Sequence, residues 1–114
     1  FEGYHTIDDG FKLANNILNL KQKPEVVFTN SDEVALGLIV NLQKHNIKIP
    51  NNIAVMGYDD QPLSKYAAVP ITTIHQPVDD LAKAAVHKLL DNLKVKNHIQ
   101  VPKMKLKVII RKST

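Results

Sequence analysis

The chain reads as an α/β protein, a parallel doubly wound sheet with helices on its faces, and three observations predict this. Short β-branched runs at 26–28, 52–56 and 72–75 are separated by longer stretches with apolar residues at helical spacing. The run Asn52-Ile53-Ala54-Val55-Met56 carries no charge, the mark of a strand covered on both faces rather than half wet. Strand and helix signals alternate along the chain, which favours parallel pairing through helical crossovers.

Taken in order, residues 1–4 read as the end of a strand. Thr6 or Asp8 is placed to cap a helix over 8–20, with Ile7, Phe11, Ala14 and Leu18 on one face. Pro24 breaks that helix, and Val26-Val27-Phe28 follows as a short buried strand. Asn30 with Glu33 three residues later resembles a capping box for a helix running to about His45. Asn46 suits a left-handed terminator, and Pro50-Asn51-Asn52 turns the chain into the strand 52–56. Gly57 then permits a sharp exit or a close backbone approach. A loop over 61–70 contains Pro62 and Pro70, and a strand over 72–75 precedes a helix over 77–93 that opens with Pro77, Asp79 and Asp80. The last strand alternates Met104, Leu106, Val108 and Ile110 with Lys103, Lys105, Lys107 and Ile109, predicting one buried and one wet face.

Length and composition bound the function. One domain is the natural reading of 114 residues, with 44% apolar and 23% charged side chains. The chain starts at Phe1 rather than Met, and reads as a piece of a longer protein. No apolar run approaches the ~20 residues that a membrane helix needs. With no Cys, disulfides, thiolate chemistry and cysteine zinc sites are excluded, which fits a cytoplasmic protein. Charge is uneven: eight Lys face eleven acids up to Leu93, a net of −3, whereas six Lys and one Arg from Lys94 onward meet no acid, a net of +7. Such a tail can contact polyanions, but without interleaved aromatics a solvated strand face is the favoured reading.

Three Asp-Asp pairs stand out. Asp8-Asp9 and Asp79-Asp80 open helices, where acids complement the positive end of the dipole. Asp59-Asp60 instead follows a strand, where ligands of open α/β sheets bind. The pair either meets a polar ligand or bonds its own turn. Neighbouring residues at a strand end point oppositely, which disfavours a shared metal ion. The hydroxyls show no nucleophile-elbow spacing, the five His no metal-ligand spacing, and the four Gly no phosphate loop. No catalytic residue, metal or cofactor is assigned, and nothing asks for an enzyme.

Several blocks then converge. Asn30-Ser31-Asp32-Glu33-Val34-Ala35-Leu36-Gly37, Ile49-Pro50, Gly57-Tyr58-Asp59-Asp60, Pro70-Ile71-Thr72-Thr73-Ile74-His75-Gln76-Pro77 and Arg111-Lys112-Ser113-Thr114 resemble the lactose/galactose-repressor (LacI/GalR) family of bacterial transcription regulators. The blocks occur in the family's order and span nearly the whole chain. The resemblance implies the C-terminal portion of an effector-binding core similar to periplasmic sugar-binding proteins, a partial type I lobe. Residues 78–100 would belong to the other lobe, and the helix-turn-helix domain would lie outside residues 1–114.

By the same resemblance, Asp59 matches a carboxylate that bonds effector hydroxyls. Gln76 matches a polar contact at the crossover, Ser31 or Asp32 a polar contact at a helix start, and His5 an aromatic stacking position. Asp32 could equally be only a cap, Gln76 a loop contact and His5 a surface residue. Val78 stands where sugar-responsive members often carry an aromatic, so stacking is lost there. The family's dimer interface maps to Val34, Leu38, Leu42, Leu63 and Tyr66, although the helical stripe Val34–Leu38–Leu42 reads equally well as core. The implied function is the ligand-sensing and dimerisation module of a sugar-responsive repressor. Its partners would be a small-molecule effector such as a sugar or sugar phosphate, a second copy, and operator DNA through the other domain. The alternative is a solute-binding protein of the same fold that serves sugar transport. Because the family packs the helix matching Val78 to Leu93 in the other lobe, Leu81, Ala85, Leu89 and Leu90 would lack their native partner here, predicting that this helix re-docks on the chain or is buried in an oligomer.

Overall fold

A computed structural model describes residues 5–94 and 103–114. The expected strand at 1–4 and the connection through Asn97 and Pro102 lie outside the described residues. The elements are α1 (Ile7–Leu18), β1 (Val26–Phe28), α2 (Asp32–Lys44), β2 (Ala54–Met56), α3 (Pro62–Tyr66), β3 (Thr73–His75), α4 (Val78–Lys94) and β4 (Lys107–Ile109). They fall into two compact units, Phe1–His75 with Val108–Thr114, and Gln76–Lys107.

In the larger unit, β1 and β2 pair in parallel, with Val26, Val27 and Phe28 opposite Ala54, Val55 and Met56. Parallel bridges Met56–Thr72 and Asp59–His75 carry the pairing on to β3, and β4 is the neighbour of β3. The carboxyl ends of β1, β2 and β3 therefore share one edge. Leu13, Ala14 and Ile17 of α1 and Val34, Ala35, Leu38 and Leu42 of α2 close on Ile53, Val55 and Ile71 to form the core. Gly10 and Gly37 let the helices touch: a Cβ on Gly10 would lie 2.3 Å from the Val34 carbonyl oxygen. That contact turns α1 so that Gly10, Leu13, Ala14 and Ile17 are buried, while Ile7, expected on the inner face, is exposed.

The helix signals resolve locally. Thr6 caps α1 in a reciprocal box with Asp9, whose carboxylate accepts from the Thr6 amide at 3.2 Å. Lys12, 2.9 Å away, and Thr6 hold the Asp9 carboxyl well below the usual carboxylate range. The cap of α2 is Ser31 rather than Asn30, because the Ser31 hydroxyl is the one that accepts from the Val34 amide. Asn46 follows the helix with φ 60°, the expected left-handed stop. α3 was expected as loop; Pro62 in its first turn supplies a helical φ and lacks only an amide that the turn leaves unpaired anyway.

Two strand expectations are corrected. β1 is not buried, since Val26 and Phe28 are exposed and only Val27 turns inward. In the last strand Lys103, Lys105 and Lys107 are exposed as expected and Met104 is half-buried, but Leu106, Val108 and Ile110 are exposed too, whereas Ile109 and Arg111 are half-buried and Ser113 is buried. Polar bonds decide this. The Ser113 hydroxyl donates to the Val55 carbonyl and accepts from the Thr72 amide at 2.8 Å, fastening the chain end between β2 and the start of β3.

In the smaller unit α4 presents Val78, Leu81, Val86, Leu89 and Leu90 exposed. Whether this helix is covered in an oligomer, as expected, is a question of the chain's oligomeric state.

Candidate functional site

The site is the edge formed by the carboxyl ends of β1, β2 and β3. The chain leaves β1 through Thr29, whose amide donates to the Met56 carbonyl at 2.8 Å and whose hydroxyl bonds the Met56 and Ser31 carbonyls. Asn30 and Ser31 follow at the start of α2. The Asn30 side-chain nitrogen lies 3.3 Å from His5 Nδ1, which ties the segment before α1 to the end of β1. Phe28 and Tyr58 meet edge to face, with ring centroids 6.4 Å apart, and join the ends of β1 and β2.

Beyond Tyr58 the backbone enters the left-handed region twice in succession, at Asp59 (φ 102°) and Asp60 (φ 55°). Such positions are uncommon for residues other than Gly, with Asp among the tolerated exceptions, and they persist only where the surroundings over-determine them. The restraints are visible. The Asp59 amide donates to the Ile74 carbonyl at 2.9 Å, and the Asp60 amide to the Thr73 hydroxyl at 3.3 Å. The Gln61 amide donates to Asp32 Oδ2 at 2.7 Å, and the Thr73 hydroxyl to Asp32 Oδ1 at 2.6 Å.

Asp32 is the anchor of this turn. Its residue is 0% exposed and its amide donates to the Tyr58 carbonyl at 2.9 Å. Burial pushes the Asp32 carboxyl up from its ordinary value and the nearby Asp59 charge adds to this, while bonds from Thr73, Gln61 and Ser64 oppose it. Gly57 makes the approach possible, because a Cβ there would lie 2.2 Å from Asp32 Oδ1. Both oxygens of this carboxylate are therefore engaged by the loop and β3.

The other sequence candidates are spread unevenly. Asp59 is half-buried on the turn itself, Ser31 is half-buried as the α2 cap, and His5 is exposed beside Asn30. Gln76 belongs to the smaller unit, where its carbonyl accepts from the Val78 amide at 2.9 Å. Val34 (1% exposed), Leu38 (0%) and Leu42 (0%) are core residues, so the dimer surface ascribed to them is corrected: a side chain filling the core has no area left for a partner. Leu63 is half-buried and Tyr66 is 78% exposed, so these two remain accessible.

Sequence reasoning missed the Thr73–Asp32 bond, the Phe28–Tyr58 pair and the role of Arg111. The Arg111 guanidinium reaches Asp60 Oδ1 at 2.5 Å, and His75 Nδ1 lies 3.0 Å from Asp60 Oδ2. All of these contacts span 15 or more positions of sequence, and no local spacing announces them. Among the described residues no cluster of three His, Asp or Glu side chains could hold a metal ion, and no helix is long and apolar enough to cross a membrane. The arrangement offers hydrogen-bond acceptors at a strand edge beside an aromatic pair, which suits a polar ligand with an apolar face.

Comparison with known proteins agrees with this geometry. The model of the periplasmic binding protein-like domain matches residues 2–114. The HTH-type transcriptional repressor PurR of Vibrio campbellii is 38% identical over 111 residues, covering 96% of this chain and 33% of the repressor. The NTD biosynthesis operon regulator NtdR of Bacillus subtilis is 36% identical, covering 95% of this chain and 33% of the regulator. The chain thus spans about a third of the length of these relatives. Among solved structures, a LacI family transcriptional regulator from Lactobacillus casei with bound sucrose is 45% identical with a TM-score of 0.84, covering 96% of this chain and 41% of that one. A LacI-type regulator from Bifidobacterium animalis is 28% identical with a TM-score of 0.87, covering 97% of this chain and 40% of that one. The chain belongs to the periplasmic binding protein-like domain family, and over nearly all its length it is similar to LacI-family regulators.

Proposed function

We propose that this chain is the C-terminal part of the effector-sensing and dimerisation core of a bacterial transcription repressor, acting in the cytoplasm, and that Asp59 is its principal effector-contacting residue. The observation that carries the reading is the turn at Asp59-Asp60. Two successive left-handed residues, anchored through buried Asp32, stand at the strand edge where open α/β sheets bind ligands. A carboxylate there suits the hydroxyls of a sugar or sugar phosphate, since charge-assisted bonds are the stronger ones. The Lactobacillus casei relative, whose structures were solved with sucrose and with glucose, supports that ligand class.

Ser31 and His5 lie at the same edge, and Gln76, in the smaller unit, is read as a further polar effector contact by likeness to the family alone. Effector binding across the lobes would bias their arrangement, and the dimer would transmit this to the DNA-binding domains. Leu63 and Tyr66 offer the accessible part of the dimer surface.

The test is Asp59→Asn in the intact regulator, followed by operator binding with and without a sugar panel. The expected result is unchanged operator affinity without sugar and loss of the sugar response. An undiminished response would refute the assignment, and turnover of any sugar would point to an enzyme. A transport protein of the same fold is distinguished by a signal peptide upstream in place of a helix-turn-helix.

A further inference from the structure

The Asp60 carboxylate is held on both oxygens. Arg111 Nη2 donates to Oδ1 at 2.5 Å, and His75 Nδ1 donates to Oδ2 at 3.0 Å, since a carboxylate can only accept. The Arg111 and Asp60 side chains are 16% and 19% exposed. The remaining fork of Arg111 is also committed, with Nη1 donating to the Ser64 hydroxyl at 2.9 Å and to the Ile71 carbonyl at 2.8 Å. The guanidinium therefore joins α3, the start of β3 and the turn after β2 in one grip, a geometry that its planar fork permits and an ammonium does not. The position of these partners along the chain matters. His75 is the last residue before the chain leaves the larger unit, and Arg111 lies just after it returns at Val108. One carboxylate thus fastens the left-handed turn to the end of β3 and to the segment just after β4.

We propose that Asp60 is a positioning residue: gripped by Arg111 and His75, it holds the strained turn that presents Asp59, and it ties that turn to the end of β3 and to the segment just after β4. The inference rests on the reading of Asp59 as the effector carboxylate, but the grip itself is testable without a ligand. A plain surface ion pair would be worth little. Here the pair is largely shielded, each oxygen has its own donor, and the backbone it restrains would not hold its conformation unaided.

The experiment uses the intact regulator and its Asp60→Asn, Arg111→Lys and Asp59→Asn variants. Amide hydrogen exchange is measured without ligand at Asp59 and Gln61, and at Leu38 and Leu42 in α2 as reference, and glucose is titrated calorimetrically as probe. Asp60→Asn and Arg111→Lys are expected to speed exchange at Asp59 and Gln61 about tenfold or more while α2 stays within about twofold, because a charge-assisted grip is lost without emptying the core. Glucose affinity should fall by a similar factor. Native exchange at Asp59 and Gln61 in either variant, or a parallel rise at every amide, overturns the proposal, because the pair would then be silent or merely stabilising. Asp59→Asn separates the two readings. If it binds glucose as the native protein does, or if the native protein ignores glucose, the effector role of Asp59 fails, and the exchange data still decide the role of Asp60.

Discussion

Gly57, Asp32 and Thr73 show how little room the turn leaves for error. Because a Cβ at position 57 would fall 2.2 Å from Asp32 Oδ1, Gly57→Ala must displace a buried, doubly bonded carboxylate. A loss of about 1–3 kcal/mol is expected in denaturant unfolding. The sequence left Gly57 open to a sharp exit or a close approach, and the structure selects the approach. Its partner was not visible, because Asp32 lies 25 positions away and reads locally as a helix-start acid. Asp32 also predicts a pH effect. Its carboxyl is raised in the fold, so the folded chain binds the proton more tightly than the unfolded chain does. That contribution is fully present below the ordinary value of 3.8 and is lost as pH rises through the raised value. The stability of Asp32→Asn relative to the native chain should therefore climb with pH above 3.8, measured as unfolding midpoints across the acid range. A constant difference would show that the carboxyl is ordinary.

The helices were the most legible elements. Caps are local chemistry: Thr6 with Asp9, the acids of the first turns and Asn46 all act within a few residues of where they stand. Thr6→Ala should cost about 1 kcal/mol, read as a shift in unfolding midpoint with no change in slope. Leu38→Ala, by contrast, empties the contact between α2 and the sheet and should cost about 2–5 kcal/mol. The strands were harder. An apolar run announces that a strand exists, but not whether both of its faces are covered, and β1 has one face open. The final strand misleads more strongly, because its apolar alternation marks a face that is exposed, while the parity carrying Arg111 and Ser113 is drawn inward by hydrogen bonds. Side-chain pattern reports preference, and a hydroxyl or guanidinium that satisfies several buried groups can outweigh it.

For the whole chain, the alternation of strand and helix led to a parallel α/β architecture, and the parallel register of β1 with β2 and the match to the periplasmic binding protein-like domain agree with it. The apolar residues left exposed carry a further expectation. Leu81, Val86, Leu89 and Leu90 on α4 form an unpartnered stripe, and exposed stripes of this kind drive association. The isolated chain should show concentration-dependent oligomers in light scattering, reduced by Leu89→Lys; a strictly monomeric chain at all concentrations would contradict this. By itself the sequence determined the alternation of strands with the three longer helices, the cap of α1, the stop at Asn46 and the family to which the chain is similar, because each depends on neighbours or on ordered blocks. Only the tertiary structure decided that Asp32 and Asp60 serve the turn while Asp59 rides on it, that Val34, Leu38 and Leu42 are core, and that Arg111 reaches back across 51 positions to grip the site. Those outcomes depend on which distant groups share a buried space, and burial is settled only when the sheet has assembled.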